Sequence, residues 1–170
     1  MFWIIYLKKI IIPQYVYDFE IKKKAGRYYS TINHAINKDG SIFRVLDRKK
    51  DKSINILAKD IIEEMRKVIG PGESECAGYA HALRIPIIIS DKYTEFKWMD
   101  EFITLTHGNI LTLCVYFGNI EQSEAEDIFD RINSQLTYPT QDTFDDQYRK
   151  AMRRFSRNGW ERYLGITSVR

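Results

Sequence analysis

The chain has 170 residues, a formal net charge of +3, and 44% hydrophobic and 29% charged residues, which are the proportions of a globular protein with a substantial core. No apolar run reaches the roughly 20 residues of a membrane-spanning helix. The apolar run at 2–7 has no basic residue before it and no small-residue cleavage site after it, so we do not expect a signal peptide. The two cysteines, Cys76 and Cys114, have no metal-type spacing, so we expect reduced thiols in a cytoplasmic protein.

Hydrophobic periodicity predicts strands that alternate with helices. In chain order, strands are predicted at residues 10–13, 42–46, 86–90 and 103–106. Helices are predicted at residues 15–37 with a break near Gly26, and at 54–68, 73–84, 93–100, 108–117, 122–135 and 145–163. The charged segment 47–52 is interpreted as a solvated connector. Alternation of this kind predicts an α/β fold in which helices cover a parallel sheet.

The segment from residue 70 to residue 91 carries the clearest functional signal. A Pro-Gly turn opens a helix with Glu73 and Glu75 near its start and alanines along its body. An Ile-Ile-Ile run follows and ends in Ser-Asp91, a pattern typical of a strand buried on both faces. A helix that precedes a parallel strand begins at the edge where that strand ends, so Glu73 and Asp91 are expected at the same edge. Two carboxylates there would suit Mg²⁺ or Mn²⁺.

This segment resembles the second half of a PIN domain, a metal-dependent nuclease fold. The resemblance rests on the Gly-Glu-x-Glu-x-Ala motif, the Ala-rich helix and the Ile-Ile-Ser-Asp strand end. It extends over residues 10 to 136, through similar patterns at 10–18, 103–111 and 120–126. The resemblance implies a PIN-like parallel sheet of about four strands in a domain of residues 1–140, and we expect residues 141–170 to form a basic helical tail docked on it.

The sequence departs from the family pattern at its first two acidic residues. PIN nucleases need an Asp on the first strand, and residues 1–9 hold no acidic residue. The second acid of the family falls on or beside Phe19, which Asp18 and Glu20 flank. The resemblance therefore implies catalytic roles for Glu73, Asp91, Asp18 and Glu20, and metal ligands drawn from Glu73, Asp91, Glu75 and Glu95.

Charge is strongly segregated along the chain. Residues 1–69 hold 15 basic and 8 acidic residues, residues 70–147 hold 4 and 14, and residues 148–170 hold 7 and 1. An acidic middle block suits a metal half-site, and basic flanks suit a phosphate backbone. The alternative is that these blocks are solvated faces that attract one another.

The predicted C-terminal helix places an apolar stripe beside a basic one. Such a combination of arginines and aromatic residues could bind single-stranded RNA through phosphates and stacked bases. The candidate RNA-binding residues are Arg149, Arg153, Arg154 and Arg157. The alternative is that the aromatic residues only dock the helix while the arginines face water.

Two classes of function follow from these patterns. The first is a degenerate PIN-like domain that binds RNA or a protein partner in a regulatory or mobile-element accessory role. The second is a metal-dependent ribonuclease that completes its site with another chain or a non-standard acid. Because the first acid is absent, we favour the binding module.

The apolar run at residues 2–7 bears on oligomeric state. A missing central strand would leave neighbouring strands with unpaired backbone groups, which are costly when buried. Only two residues, Lys8 and Lys9, link this run to the next strand, and a parallel crossover needs about a dozen. We therefore expect an altered hairpin edge or a homodimer that shares strands.

Overall fold

The structure, a computed structural model, describes residues 9–91, 96, 101–136 and 138–167. It divides into two compact units, each described by itself below. The N-terminal unit is Tyr6–Ile88, and the C-terminal unit comprises Met1–Ile5 and Ile89–Arg170. The predicted α/β class is confirmed. None of the helices in the described ranges is long and apolar enough to cross a membrane.

The described part of the N-terminal unit contains a pair of parallel strands, most of a third strand and several helices. Strand β1 is followed by a π-helical turn, a short α1, a 3-10 turn and α2. Strand β2, α3, α4 and most of β3 complete the unit. Their bounds are β1 Ile10–Pro13, π-turn Val16–Ile21, α1 Lys22–Lys24, 3-10 turn Gly26–Tyr28, α2 Tyr29–Asn37, β2 Phe43–Leu46, α3 Lys52–Met65, α4 Pro71–Leu83 and β3 Ile87–Ile89.

Strands β1 and β2 pair in parallel, with Ile10 opposite Phe43 and Pro13 opposite Leu46. Proline is tolerated at the last position of β1 because few ladder hydrogen bonds are lost at a strand end. The β1–β2 pair packs under α3 and α4 through a core that includes Leu46, Ala58 and Tyr79. The carboxyl end of β1 leads into the helical segment that begins at residue 14, and the carboxyl end of β2 leads into the loop that begins at residue 47.

Helices α3 and α4 approach closely because Gly78 has no side chain. A Cβ atom at Gly78 would lie 3.1 Å from the Ala58 carbonyl oxygen and would clash with the Ile62 side chain. Pro71 begins α4, where its missing N–H costs no hydrogen bond and its φ suits a helix. The predicted helix at 73–84 is present but begins two residues earlier, because Pro71 is its first residue and not part of a preceding turn.

The described part of the C-terminal unit contains strand β4 and helices α5 to α8. Their bounds are β4 Ile103–Leu105, α5 His107–Tyr116, α6 Gln122–Asn133, α7 Phe144–Arg157 and α8 Glu161–Leu164. Thr106 and Thr143 cap α5 and α7 with reciprocal side-chain hydrogen bonds to Asn109 and Asp146. The helices enclose a core of Leu111, Ala125, Phe129 and Phe144.

Strand β4 pairs in parallel with β3, and the Ser90 N–H donates to the Leu105 carbonyl at 2.9 Å. The boundary between the units falls within β3, between Ile88 and Ile89. Across the described ranges, the four predicted strands are present within about one residue of their expected ends and form two two-stranded sheets. A single four-stranded sheet is not seen there and stays a prediction. The expected helix at 93–100, apart from Phe96, and the run at 2–7 lie outside the described residues.

Candidate functional site

Among the described residues of the N-terminal unit, Glu75 carries the most deeply buried charged group. Glu75 is 1% exposed and lies on α4 at the carboxyl edge of the β1–β2 pair. The backbone N–H of Tyr15, just beyond β1, donates to Glu75 Oε2 at 3.0 Å. Arg48, just beyond β2, forms a hydrogen-bonded ion pair with Glu75 Oε1. Arg66 Nη2 lies 3.6 Å from the same oxygen.

This arrangement compensates the cost of burying a carboxylate. An isolated buried charge is strongly unfavourable, and opposite charges with hydrogen bonds offset that cost. Arg48 is itself held in place, because the Asn55 side-chain amide donates to its carbonyl oxygen at 2.7 Å. The Tyr79 hydroxyl donates to Asn55 Oδ1. Burial raises the pKa of the Tyr79 hydroxyl, and the charges of Arg48 and Arg66 oppose that rise.

The other predicted acids of this unit also contact groups of their own segments. Asp18 accepts hydrogen bonds from Lys22 and Gln14, each at 2.9 Å, and these bonds lower the pKa of its carboxyl, with the Lys22 bond first. Glu20 pairs with Lys24 at 2.7 Å. The Glu73 carboxylate lies over the start of α4, where a Cβ at Gly70 would stand 2.5 Å from its Oε2.

In the C-terminal unit, Asp91 and His107 form a pair at the carboxyl edge of the β3–β4 sheet. Asp91 Oδ1 contacts His107 Nδ1 at 2.7 Å and accepts the His107 backbone N–H at 3.0 Å. The side-chain bond to His107 lowers the pKa of the Asp91 carboxyl. The His107 ring stacks on Phe129 with centroids 5.6 Å apart. Its Nε2 is buried and has no hydrogen-bond partner among the residues that the structure describes.

These contacts decide how well the predicted metal ligands suit a cation. One Glu75 oxygen accepts a backbone N–H and the other faces two guanidinium groups, which suits an ion pair and does not suit a metal ligand. Asp91 has one oxygen engaged and half of its side chain exposed. Glu73 and Asp91 belong to different units, and Glu95 lies outside the described residues. Among the residues described, no group of three or more potential ligands could hold a metal ion.

The basic face of α7, defined here as Arg149, Arg153 and Arg157, is exposed along its length. Arg149 pairs with Asp146 at 3.0 Å. Arg153 and Arg157 make no ion pair with any residue in the described part of the chain. The buried residues of α7 include Phe155, so the basic face points away from the core.

Arg154 differs from the three arginines of the basic face. Its Nη1 donates to the buried Asn109 side chain at 3.3 Å, and its Nη2 donates to the Thr104 carbonyl at 3.1 Å. Its guanidinium carbon lies 4.9 Å from the centroid of the Trp160 ring. Arg154 therefore connects α7 to β4 and α5, and the structure gives it an internal role in the C-terminal unit.

Sequence reasoning missed the cationic partners of the buried and half-buried acids. Arg48 stands just after β2, at the kind of strand end that singled out Asp91, but the charged segment around it was interpreted as a connector. His107 follows β4 in the same way. A rule that treats every polar residue just beyond a parallel strand as a candidate would have found both. Arg66 carries no such signal, because it follows a helix.

No family model matches the sequence, and neither a curated protein nor a solved structure matches it. The PIN-like resemblance therefore rests on the motifs and the order of the elements. Function has to be argued from the chemistry of the surfaces described above.

Proposed function

We propose that this chain is a degenerate PIN-like domain that binds single-stranded RNA through the basic face of α7. The observation that carries this proposal is that Arg153 and Arg157 are exposed and make no ion pair with a described residue. A guanidinium group without an internal partner is available for phosphate contacts. In a regulatory or accessory role, such binding needs no chemistry from the domain itself.

The spacing of the basic face suits an extended phosphate backbone. Arg149, Arg153 and Arg157 are four residues apart, so their Cα atoms rise about 6 Å per step along the helix. Capping at Thr143 and burial of Phe155 hold the helix in place, which lowers the entropy lost on binding. Each phosphate that an arginine neutralises releases counterions, so affinity should depend steeply on salt.

An exposed aromatic residue in the same unit supports contacts to bases. Tyr163 on α8 is 53% exposed, and the Arg162 guanidinium carbon lies 4.7 Å from the centroid of its ring. Aromatic rings and guanidinium planes both stack on unpaired bases with little sequence preference. We therefore expect weakly selective binding to single strands.

The contacts of the predicted acidic residues in the N-terminal unit favour a binding role over catalysis by the isolated chain. Asp18, Glu20 and Glu75 each face a cationic side chain of the same unit, respectively Lys22, Lys24 and Arg48. A divalent cation would have to displace these partners before those carboxylates could coordinate it. The PIN-like four-stranded sheet is part of this proposal, and its support is the order of the strands along the chain.

The experiment is fluorescence anisotropy with a labelled single-stranded oligoribonucleotide over a series of salt concentrations. Charge reversal at Arg153 and Arg157 should weaken binding and reduce the slope of log affinity against log salt by about 1 to 1.5. The control is Lys38→Gln with Lys59→Gln, which removes two exposed positive charges from the N-terminal unit. If wild-type protein binds no RNA at low salt, the proposal is wrong and a protein partner becomes the better hypothesis.

A metal-dependent ribonuclease is the second candidate, and the placement of Asp91 favours it. Asp91 stands at the carboxyl edge of a parallel strand pair, half exposed and held ionised by His107. A bound Mg²⁺ or Mn²⁺ would supply an activated hydroxide at neutral pH. Asp91 would contribute a ligand, and another chain would complete the site.

This alternative predicts weak metal binding. A single carboxylate leaves most ligand positions to water, so the dissociation constant for Mn²⁺ should be nearer millimolar than micromolar. Calorimetry on wild type and on Asp91→Asn tests the assignment. Unchanged binding in Asp91→Asn would place the metal elsewhere.

A further inference from the structure

Two guanidinium groups share one carboxylate oxygen at the carboxyl edge of the β1–β2 pair. Arg48 pairs with Glu75 Oε1, and Arg66 Nη2 lies 3.6 Å from the same atom. The side chains of Arg48 and Arg66 are 49% and 46% exposed, whereas that of Glu75 is 2% exposed. The cluster thus has two positive charges against one negative charge, and only the positive groups reach solvent.

Nearby acidic side chains are committed to other partners. Asp51 pairs with Arg44 and accepts the Asp47 N–H at 2.9 Å. Asp47 Oδ1 accepts the backbone N–H groups of residues 49 and 50. The charge of Arg48 helps to lower the pKa of the Asp18 carboxyl, but Asp18 accepts its hydrogen bonds from Lys22 and Gln14. In the part of the chain that the structure describes, Glu75 is the one carboxylate within 4 Å of Arg48 or Arg66.

The cluster is also held in place before any ligand arrives. Glu75 is fixed by the Tyr15 N–H, and Arg48 is fixed by Glu75 and by the Asn55 amide bonded to its carbonyl. A guanidinium has five N–H donors, so the contact with Glu75 leaves donors on each arginine that can face a ligand. The loops beyond the carboxyl ends of parallel strands are where open α/β folds bind ligands.

We propose that Arg48 and Arg66 form a binding site for a phosphate group, with Glu75 as the positioning residue that holds both guanidinium groups. A phosphate has enough oxygens to accept hydrogen bonds from both guanidinium groups, and enough negative charge to balance the excess positive charge of the cluster. This site goes beyond the proposed function, because it lies in the N-terminal unit and uses no residue of the basic face of α7.

The first experiment titrates the full chain with inorganic phosphate at constant ionic strength and follows the arginine Nε–H signals by NMR. We expect saturable shifts for Arg48 and Arg66 in the millimolar range. The double variant Arg48→Lys with Arg66→Lys keeps both positive charges but loses the paired N–H donors of the guanidinium groups. It should therefore bind phosphate about tenfold more weakly. The matched control, Arg27→Lys with Arg84→Lys, exchanges two exposed arginines of the same unit and should change nothing.

A second variant covers the case in which the double variant unfolds. Arg66 is half exposed and lies beyond hydrogen-bond distance from Glu75, so Arg66→Lys alone should keep the fold and still weaken phosphate binding severalfold. Circular dichroism checks the fold of each variant. If phosphate causes no saturable shift, or if both lysine variants bind as the control does, the proposal is wrong and the arginines only neutralise Glu75.

Two oligoribonucleotides that differ only in a 5′-phosphate or a 5′-hydroxyl distinguish the sources of the phosphate. Loss of affinity on Arg66→Lys for both would identify backbone phosphates as the ligand, and loss for the 5′-phosphorylated strand alone would identify a terminal phosphate. Charge reversal at Arg153 and Arg157 should leave the inorganic phosphate titration unchanged. Failure of RNA binding at α7 and failure of this site are therefore separate results.

Discussion

Removing the Arg48 side-chain charge should destabilise the N-terminal unit more than removing any comparable exposed cation. Arg48→Gln leaves the Glu75 carboxylate, 1% exposed, with the Tyr15 N–H at 3.0 Å and Arg66 at 3.6 Å. Breaking a fully buried ion pair costs about 3–5 kcal/mol. Because Arg48 is half exposed and these two contacts persist, we expect a loss of about 2–3 kcal/mol.

The assay is urea denaturation at neutral pH, followed by far-ultraviolet circular dichroism. With a slope of about 2 kcal/mol per molar urea, the midpoint should fall by about 1 M. The control is Lys24→Gln, which breaks the exposed pair with Glu20 and should cost about 0.3–0.5 kcal/mol.

A double-mutant cycle separates the energy of the Arg48–Glu75 ion pair from the other effects of the substitution. Glu75→Gln in the Arg48→Gln background removes the uncompensated charge, so the double variant should be more stable than the sum of the two single effects by about 1–3 kcal/mol. Strict additivity would refute the argument. A loss below about 1 kcal/mol for Arg48→Gln alone would refute it too.

Three further predictions concern single residues. Asp91→Asn should lower the free energy of unfolding above about pH 4, because the hydrogen bond from His107 lowers the pKa of the Asp91 carboxyl in the folded state and so stabilises its ionised form. This loss should disappear as the pH falls through the pKa of Asp91 in the folded protein, and thermal melts at a series of pH values check it. Gly78→Ala should destabilise by about 1–3 kcal/mol in urea, since the new methyl group would meet Ile62, although alanine favours helices. Arg154→Gln should destabilise the fold by about 1–2 kcal/mol in the same assay, through lost hydrogen bonds to buried acceptors, and a stability equal to wild type would contradict its internal role.

Local sequence determined most of the secondary structure. Strand β1 lies at the predicted residues, and Pro71 begins α4 as helix-start chemistry requires. The predicted helix at 145–163 is in fact two helices, because Asn158 ends the first and Gly159 follows at a φ of +65°. That signal was present in the sequence as an Asn-Gly pair, which is typical of a chain reversal.

The sequence also placed Asp91 just beyond β3, because which residue follows a strand is a local property. Tertiary structure alone decided what the acidic residues contact. Glu75 meets Arg48 from 27 positions away, and Asp91 meets His107 from 16 positions away. Periodicities of two or 3.6 residues report which face of an element is buried, and they carry no information on which distant loop lies opposite. Burial of the Glu75 carboxylate makes a cationic partner necessary, but only the packing of the β1–β2 pair against α4 selects Arg48 for that role.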